Sequence, residues 1–235
     1  MDPKNKYTVM QQSQYDENAS HWTTEDRDHV VGSFDAHNKW TDYDVYLFKG
    51  IETKNRIALD FACGPGRNIV KFSNRFKRID GVDISNTNLA NAKIWCEANK
   101  VASMPQLIKN NGTDLADIAN DTYDMVFSTI AMQHICVHEI RLNLFKEFYR
   151  ILKPSGYICI QMGFGTRHQG SVGYYENFYD AQHTNGGKDT RIENPDHVKQ
   201  DLISIGFSHF DFDIRPVGPS DSHSNWIFFR SIKEI

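Results

Sequence analysis

The chain has 235 residues, of which 40% are hydrophobic, and its 26 Lys and Arg against 30 Asp and Glu give a formal net charge of -4. This length is enough to bury one substantial core in a single domain, and the negative balance argues against nucleic acid or an anionic membrane as a partner. No stretch approaches the roughly 20 apolar residues that cross a bilayer, and four scattered cysteines without a CxxC pair suit a reducing compartment. We therefore expect a cytoplasmic protein with no membrane partner.

The first 52 residues combine many aromatic side chains with many charged ones. Aromatic side chains of this size are usually buried, so we predict a helical N-terminal cap over residues 1–52 that packs across the ligand-binding edge of the core that follows. The apolar residues behind this prediction are Trp22, Phe34, Trp40, Tyr43, Tyr46, Leu47 and Phe48.

Residues 53–162 alternate between short runs rich in β-branched and aromatic residues and longer helical patterns. This rhythm is typical of βαβ units and a mostly parallel sheet. The last helix should end near Lys153-Pro154-Ser155-Gly156, because a Pro cannot continue a helix and a Gly favours its end. The predicted strands are 56–61, 78–82, 105–109, 123–128 and 157–162, and the predicted helices are 68–76, 86–99 and 137–152.

The remaining chain divides into two parts. Residues 163–194 are rich in Gly, Tyr, His and Asn and show no periodicity, which predicts a substrate lid rather than a passive linker. Residues 195–235 should begin with a helix, since Asn194-Pro195-Asp196 is typical of a helix start. Two strands should follow, at 207–214 and 226–232. A connection too short for a crossover helix makes these strands an antiparallel hairpin. The prediction is an α/β fold: a doubly wound, seven-stranded, mostly parallel sheet.

A strand, an acidic residue, a Gly-Pro-Gly turn and a helix follow one another in RIALDFACGPGRN, residues 56–68. Gly64 and Gly66 allow a sharp turn and let a ligand lie against bare backbone, while the helix beyond offers free N–H groups. A P-loop is disfavoured because no Lys-Ser or Lys-Thr pair follows Gly66. A dinucleotide fingerprint remains open, although Ile69 stands at the position of its third glycine.

Asp83 lies in GVDIS, about 20 residues beyond the glycine turn, at the end of the second predicted strand. A carboxylate at that point can accept hydrogen bonds from both hydroxyls of a ribose. Taken alone, an Asp after a strand is more often a helix cap. Its pairing with the glycine turn favours the ribose, and therefore a ligand with an adenosine-like sugar.

These residues resemble the class I (Rossmann-like) S-adenosylmethionine-dependent methyltransferases, whose first two motifs look like ALDFACGPGRN and GVDIS. The resemblance continues through Asn111-Gly112-Thr113-Asp114-Leu115, through DTYDMVFSTIAMQHI at 121–135, and through FYRILKPSGYICI at 148–160. It covers roughly residues 56–162, and the final hairpin suits the same family.

The resemblance implies S-adenosylmethionine as the cofactor and a role for each matching residue. Asp60 would organise the glycine turn or reach the cofactor's amino group through water. Asp83 would hold the ribose hydroxyls, and Asp114 would accept from the adenine amino group. The other implied contacts are Ala62, Gly64 and Gly66 at the methionine end and ribose, Ile84 and Leu115 on the adenine, Ser128 near the amino acid moiety, and Tyr15 with Trp22, in a YxxxAxxW arrangement, over the carboxylate end.

His134 follows the fourth predicted strand at its carboxyl end, where open α/β sheets bind their ligands, and is the first candidate for a general base. Packing at a helix start is the alternative interpretation, and His183 in the predicted lid is a second candidate. A zinc pair of His134 with His138 is disfavoured because Ile135 stands where HExxH has Glu, so no metal is predicted. The lid residues expected to bind the acceptor are Tyr174, Tyr175, Tyr179 and Arg191.

The function predicted from these motifs is methyl transfer to an O or N atom of a small polar metabolite. DNA adenine is disfavoured, because STIAMQ stands where nucleobase amino methyltransferases resemble one another in an Asn/Asp-Pro-Pro-aromatic segment. The alternatives are an RNA or protein methyltransferase, a nicotinamide-dependent oxidoreductase, and a catalytically silent cofactor-binding module that regulates a partner. A homodimer also stays open.

Overall fold

The computed structural model describes residues 2–22, 43–165, 171–180, 189–218 and 223–234. Within them the helices are α1 Pro3–Ala19, α2 Tyr43–Leu47, α3 Arg67–Phe72, α4 Asn86–Ala98, α5 His138–Ile151 and α6 Pro195–Ile205. The strands are β1 Ile57–Phe61, β2 Arg78–Asp83, β3 Leu107–Lys109, β4 Tyr123–Ser128, β5 Leu152–Phe164, β6 Phe207–Pro216 and β7 Asn225–Lys233.

The seven strands form one sheet in the order β3-β2-β1-β4-β5-β7-β6. Strands β1 to β5 are parallel to one another, whereas β7 runs antiparallel to both β5 and β6. This confirms the predicted fold class, including the C-terminal hairpin. The strand order reverses between β1 and β4, so the crevice at their carboxyl ends is where an open α/β sheet binds its ligand.

Helices cover both faces of the sheet. Since successive side chains of a strand point to opposite faces, one strand contributes residues to the clusters on both sides. Leu59 and Phe61 of β1 belong to a buried cluster that includes α5 and α6 residues. Ala58 belongs to a second cluster that includes residues of α2 and α3. Because the parallel strands are buried on both faces, their sequences are largely apolar. This made their positions predictable from the sequence.

The largest departure from the predicted elements lies at the junction of α5 and β5. The helix ends at Ile151 and the strand begins at Leu152, five residues before the predicted start, so the Pro154–Gly156 stop signal lies inside the strand. Ser155 takes a positive φ of 63° there, and the register with β4 shifts between Tyr123 and Met125. The turn residues make an irregularity in the strand rather than a loop before it.

Helix α1 lies along the carboxyl edge of the sheet. The hydroxyl of Tyr7 accepts from the Cys136 backbone N–H (2.9 Å) and donates to the His134 carbonyl (3.2 Å). Asp16 accepts a hydrogen bond from the Ser85 hydroxyl, and Asn91 of α4 donates to the Ala19 carbonyl. Phe34 and Trp40 lie outside the described residues.

The described parts of the predicted lid run beside the sheet without forming a helix. Isolated bridges join Val172 to Thr190 and Phe164 to Ile192 in parallel, and Val137 to Asn177 antiparallel. Through these bridges the segment continues from the end of β5. Across the described ranges, no helix has the length and apolar character needed to span a membrane.

Candidate active site

The glycine turn at the end of β1 has the backbone geometry that a close ligand requires. Gly64 takes a positive φ of 52°, and a Cβ added there would have no atom within 4 Å. Gly66 takes a φ of 83°, and a Cβ there would press on Ala92 of α4 at 3.1 Å. Ala62 also has a positive φ of 55°, which costs strain in a residue other than glycine. The space over Gly64 is therefore open, while Gly66 is needed for helix packing.

Asp83 links the glycine turn to the second strand. Its carboxylate accepts from the backbone N–H of Gly64 (2.8 Å) and of Ser85 (2.9 Å), with the Asn88 amide at 3.4 Å. The side chain is buried, and this burial raises the pKa of its carboxyl against the lowering effect of the two N–H donors. Asp83 thus lies directly at the turn, where the predicted ribose contact would be.

Asp60 is the unusual group of the site. It is fully buried, and neither carboxylate oxygen has a hydrogen-bond partner among the described residues. Burial raises the pKa of its carboxyl to about 8, although the Arg67 guanidinium opposes the shift. A buried carboxylate is costly unless a cation or donors compensate it. The ammonium of a bound amino acid moiety would be such a partner, so this residue fits S-adenosylmethionine.

A cleft of about 790 Å³ lies at the other end of the site, between α1 and the loop after β3. Asn111 organises this loop by donating to the Asp114 carboxylate (2.8 Å) and accepting from the backbone N–H of Thr113 and Asp114. The donated hydrogen bond lowers the pKa of Asp114. Leu115 is buried, and Ile84 contacts Gly112 so closely that a Cβ there would overlap it. The predicted adenine contacts thus lie on one side of the sheet edge.

The end of β4 is held by side-chain hydrogen bonds to its neighbours. The Ser128 hydroxyl donates to the Phe61 carbonyl of β1 (2.9 Å), and the Asn68 amide donates to the Thr129 hydroxyl (3.0 Å). Ile130 has a positive φ of 67°, an outlier for a β-branched residue, with its N–H bonded to the Gln161 side chain. The Ser128 hydroxyl therefore lies beside the site, and its hydrogen takes part in the bond to the Phe61 carbonyl.

Tyr15 of α1 joins the cofactor end of the site to the end of β4. Burial raises the pKa of its hydroxyl, and the nearby carboxylates of Asp189 and Asp83 raise it further. Trp22 follows the helix, is half-buried and donates its backbone N–H to the Ala19 carbonyl (3.1 Å). The Tyr15 hydroxyl thus lies within electrostatic reach of both carboxylates.

His134 ends the short 3-10 helix Met132–His134 and lies in a cluster of polar side chains. Its Nδ1 is 2.7 Å from Oδ1 of Asp189, while Nε2 of His223 is 3.3 Å from Oδ2 of the same carboxylate. The Gln133 amide lies at 3.5 Å from Oδ2. A histidine oriented by a carboxylate is the arrangement of a general base.

The four residues expected to bind the acceptor have three kinds of contact. Tyr174 is buried with its hydroxyl on Asp201 (2.7 Å), and the Tyr175 hydroxyl contacts His197 and Gln200, so both attach the segment to α6. Arg191 bonds Ser171 and Glu193. Tyr179 packs edge-on against Tyr7, with ring centroids 6.4 Å apart, beneath the His134 carbonyl. Of the four, this ring is the one in contact with α1.

The two remaining histidine predictions have different outcomes. His183 lies outside the described residues. His138 bonds Asp201 at 2.9 Å, whereas His134 bonds Asp189, so the two histidines of the HICVH sequence have separate carboxylate partners. No group of three or more His, Cys, Asp or Glu able to hold a metal occurs in the portion of the chain that is described.

Asp189 and His223 were not predicted from the sequence. Asp189 lies in a polar stretch without periodicity and His223 in a turn, and neither belongs to a recognisable motif. Both are brought to His134 by segments that are adjacent only in the folded chain. The sequence offered no signal that could have found them.

The sequence profile of the methyltransferase domain family matches residues 59–160. No curated protein sequence is significantly similar to the chain. A Haemonchus contortus phosphoethanolamine N-methyltransferase 2, solved with phosphomonomethylethanolamine and S-adenosylhomocysteine, is similar with a TM-score of 0.65 and 17% identity, over 97% of this chain and 59% of that one. An S-adenosylmethionine-dependent methyltransferase of Methanosarcina mazei has a TM-score of 0.62 and 14% identity, over 78% of this chain and 94% of that one. One of Aquifex aeolicus has a TM-score of 0.57 and 14% identity, over 87% of this chain and 97% of that one.

The matched segment runs from β1 to β5 and includes the glycine turn and Asp83. Residues 59–160 are therefore similar to the methyltransferase domain family. The similar enzyme of Haemonchus contortus was solved with S-adenosylhomocysteine, which S-adenosylmethionine becomes when it gives up its methyl group. The open cradle over Gly64 and the unpartnered Asp60 carboxylate fit that cofactor.

Proposed function

We propose that this methyltransferase modifies an O or N atom of a small polar metabolite, with His134 as the general base. The observation that carries the proposal is the 2.7 Å contact between His134 Nδ1 and Asp189, beside Tyr15 at the carboxyl end of β4. An imidazole held by a carboxylate in this way suits a group that takes up a proton near neutral pH.

The cofactor supplies a methyl group already activated by the positive charge on sulfur, so no covalent enzyme intermediate is needed. The protein's task is to align the acceptor with that methyl and to remove the acceptor's proton. The acceptor's lone pair forms the new bond to carbon, the electrons of the C–S bond remain on sulfur, and His134 takes the proton. S-adenosylhomocysteine and the methylated acceptor are the products.

The enclosure of the cluster supports a small acceptor. Gln133, Asp189 and His223 are all buried, and α1 covers the sheet edge beside them. We expect side chains as buried as these to admit a metabolite more readily than a folded RNA or a protein surface. The formal charge of -4 is consistent with this preference.

Labelled methyl transfer tests the proposal. Protein with S-adenosylmethionine carrying a labelled methyl group is incubated with a cell extract that is then separated into metabolite, RNA and protein fractions. We expect the label in the metabolite fraction. His134→Gln should keep S-adenosylhomocysteine binding but lose transfer by about 100-fold or more. His209→Gln, at an exposed histidine of β6 paired with Glu234, should behave as wild type. Label in RNA or protein alone, or in no fraction, would overturn the proposal.

A further inference from the structure

The structure assigns Gln161 as a positioning residue: its side-chain oxygen holds Ile130 in a strained backbone conformation and thereby sets the path of the chain after β4. The inference rests on the proposed function, which places His134 at the site. It adds a residue that acts on the loop before His134 through Ile130 and does not touch the acceptor. Gln161 lies in β5, one position beyond the end of the matched methyltransferase domain.

Ile130 has a backbone conformation that its side chain disfavours. Its φ of 67° lies in the left-handed region, where a branched Cβ crowds the backbone and glycine or asparagine is the usual residue. Thr129 before it is held by the Asn68 amide, and Ala131 after it is back in the right-handed region with a φ of -73°. The strain is therefore concentrated in one residue, and such a conformation persists only where the surroundings hold it.

Gln161 supplies a contact that holds this conformation. The Ile130 N–H donates to Oε1 of Gln161 at 2.6 Å, and the Gln161 side chain is fully buried. Water competes little for a bond in such a place, so the bond fixes the peptide group before Ile130. The Ile130 side chain packs against the buried cluster that contains Phe228, which is also the cross-strand neighbour of Gln161. Backbone and side chain of Ile130 are thus both held at this part of the sheet.

A polar side chain is costly at the position of Gln161. Its neighbours Ile160 and Met162 in β5 are apolar and fully buried. The Gln161 amide nitrogen is buried as well, and it has no hydrogen-bond partner among the described residues. A buried donor without a partner destabilises the fold, whereas a methionine would fill a similar volume without that penalty. The bond from Ile130 to the Gln161 oxygen is the contact that offsets this cost.

The consequence for the site is a loop whose course is set at its first turn. Ser128, a predicted cofactor contact, and Thr129 precede Ile130, and their hydroxyls are bonded to β1 and α3. The short helix Met132–His134, which carries the proposed base, follows Ile130. A change of φ at Ile130 would turn the chain that follows relative to the chain before it, because φ and ψ are the only soft angles of the backbone. Gln161 therefore keeps the helix in place beside the end of β4.

Substitution of both partners tests the assignment. Gln161→Met removes the acceptor oxygen at nearly constant volume, so we expect about tenfold weaker S-adenosylhomocysteine binding and faster amide hydrogen exchange at residues 129–136. Adding Ile130→Gly removes the strain, because glycine adopts a positive φ at little cost. The double variant should therefore bind about threefold or more tightly than Gln161→Met alone. Calorimetry and hydrogen exchange measure these effects, and neither needs an acceptor.

A merely structural role for Gln161 predicts the opposite order of affinities. Ile130→Gly removes a side chain that packs against a buried cluster, so on that view the double variant binds more weakly than Gln161→Met, and this result overturns the inference. Unchanged exchange at residues 129–136 in Gln161→Met overturns it as well. Gln106→Met, the same substitution at an exposed position before β3, should match the wild type. If no acceptor is methylated, the proposed function fails, but the rescue by Ile130→Gly still decides whether Gln161 holds the turn.

Discussion

Asp60 has a buried carboxyl whose ionisation should depend on what is bound beside it. Its buried carboxyl has a pKa of about 8, and neither of its oxygens has a partner among the described residues. In the absence of ligand it therefore keeps its proton at neutral pH. An ammonium brought to it would favour the charged form, because an opposite charge lowers a carboxyl pKa. Binding and ionisation at this residue should be coupled.

This coupling predicts how Asp60 affects the stability of the free protein. The pKa is raised in the folded state, so the stabilising contribution is complete below the unfolded value of 3.8 and is lost as the pH rises through about 8. We expect Asp60→Asn to remove this loss. The melting temperature of the wild type minus that of the variant should therefore fall as the pH rises from about 4 to about 8. Thermal unfolding without cofactor across that range measures it.

The same carboxyl should release a proton when ligand binds. Calorimetry of S-adenosylhomocysteine binding in buffers of different ionisation enthalpy should report proton release near neutral pH in the wild type and less in Asp60→Asn. Asp196→Asn, at an exposed position in the first turn of α6, serves as the control and should match the wild type in both measurements. Parallel melting curves for wild type and Asp60→Asn would contradict the assignment.

At the scale of elements, helix α5 supports the loop that carries the predicted adenine contacts. Glu147 accepts the Leu115 backbone N–H at 2.9 Å, and Arg150 donates to the carbonyls of Leu115 (2.8 Å) and Ile118 (2.7 Å). Arg150 also bonds Glu147, which lowers the pKa of that carboxyl and keeps it ionised. The loop is thus attached to helix α5 in addition to the hydrogen bonds among its own side chains.

Removing the Glu147 charge should loosen this loop. In Glu147→Gln the side chain keeps one acceptor oxygen and loses its charge, so the two-oxygen contact with Arg150 is lost and we expect about tenfold weaker S-adenosylhomocysteine binding. Amide hydrogen exchange should be faster at residues 113–118. Glu139→Gln, on the same helix but paired with Lys4, should leave both measurements unchanged. Unchanged exchange at 113–118 in Glu147→Gln would show that α5 does not hold the loop.

At the scale of the whole molecule, the four cysteines report on the integrity of the core. Cys63, Cys96, Cys136 and Cys159 are free and buried. Burial raises the pKa of the Cys63 and Cys159 thiols, which suppresses the reactive thiolate. Cys136 belongs to one of the two buried clusters that cover the sheet, and the other three cysteines belong to the second.

We therefore expect the native thiols to react with a disulfide reagent roughly a thousandfold or more slowly than in denaturant, because reaction requires opening of the core. The melting temperature should not change with reducing agent, since no disulfide links the described cysteines. Thiol titration in native buffer and in denaturant measures this. One thiol that reacts at once in the native protein would show an access route that the structure lacks.

The sequence by itself determined the sheet and the glycine turn after β1. Parallel strands buried on both faces are continuous apolar runs, and the turn after β1 needs glycines at fixed places, so both leave a local pattern. The strand from Tyr123 to Ser128 was predicted at its observed bounds. The α5 to β5 junction was misplaced, because Pro154 and Gly156 are tolerated inside an irregular strand and their local signal resembles a turn.

Only the tertiary structure decided what surrounds His134. Its partner Asp189 is 55 positions away, and Asp189 is 34 positions from His223, so no local periodicity connects them. Tyr7 reaches Cys136 from 129 positions away. Local patterns encode secondary structure and tight turns, whereas contacts between distant segments depend on how the folded elements pack. The cofactor motif could therefore be read from the residues, while the environment of the proposed base came from the fold.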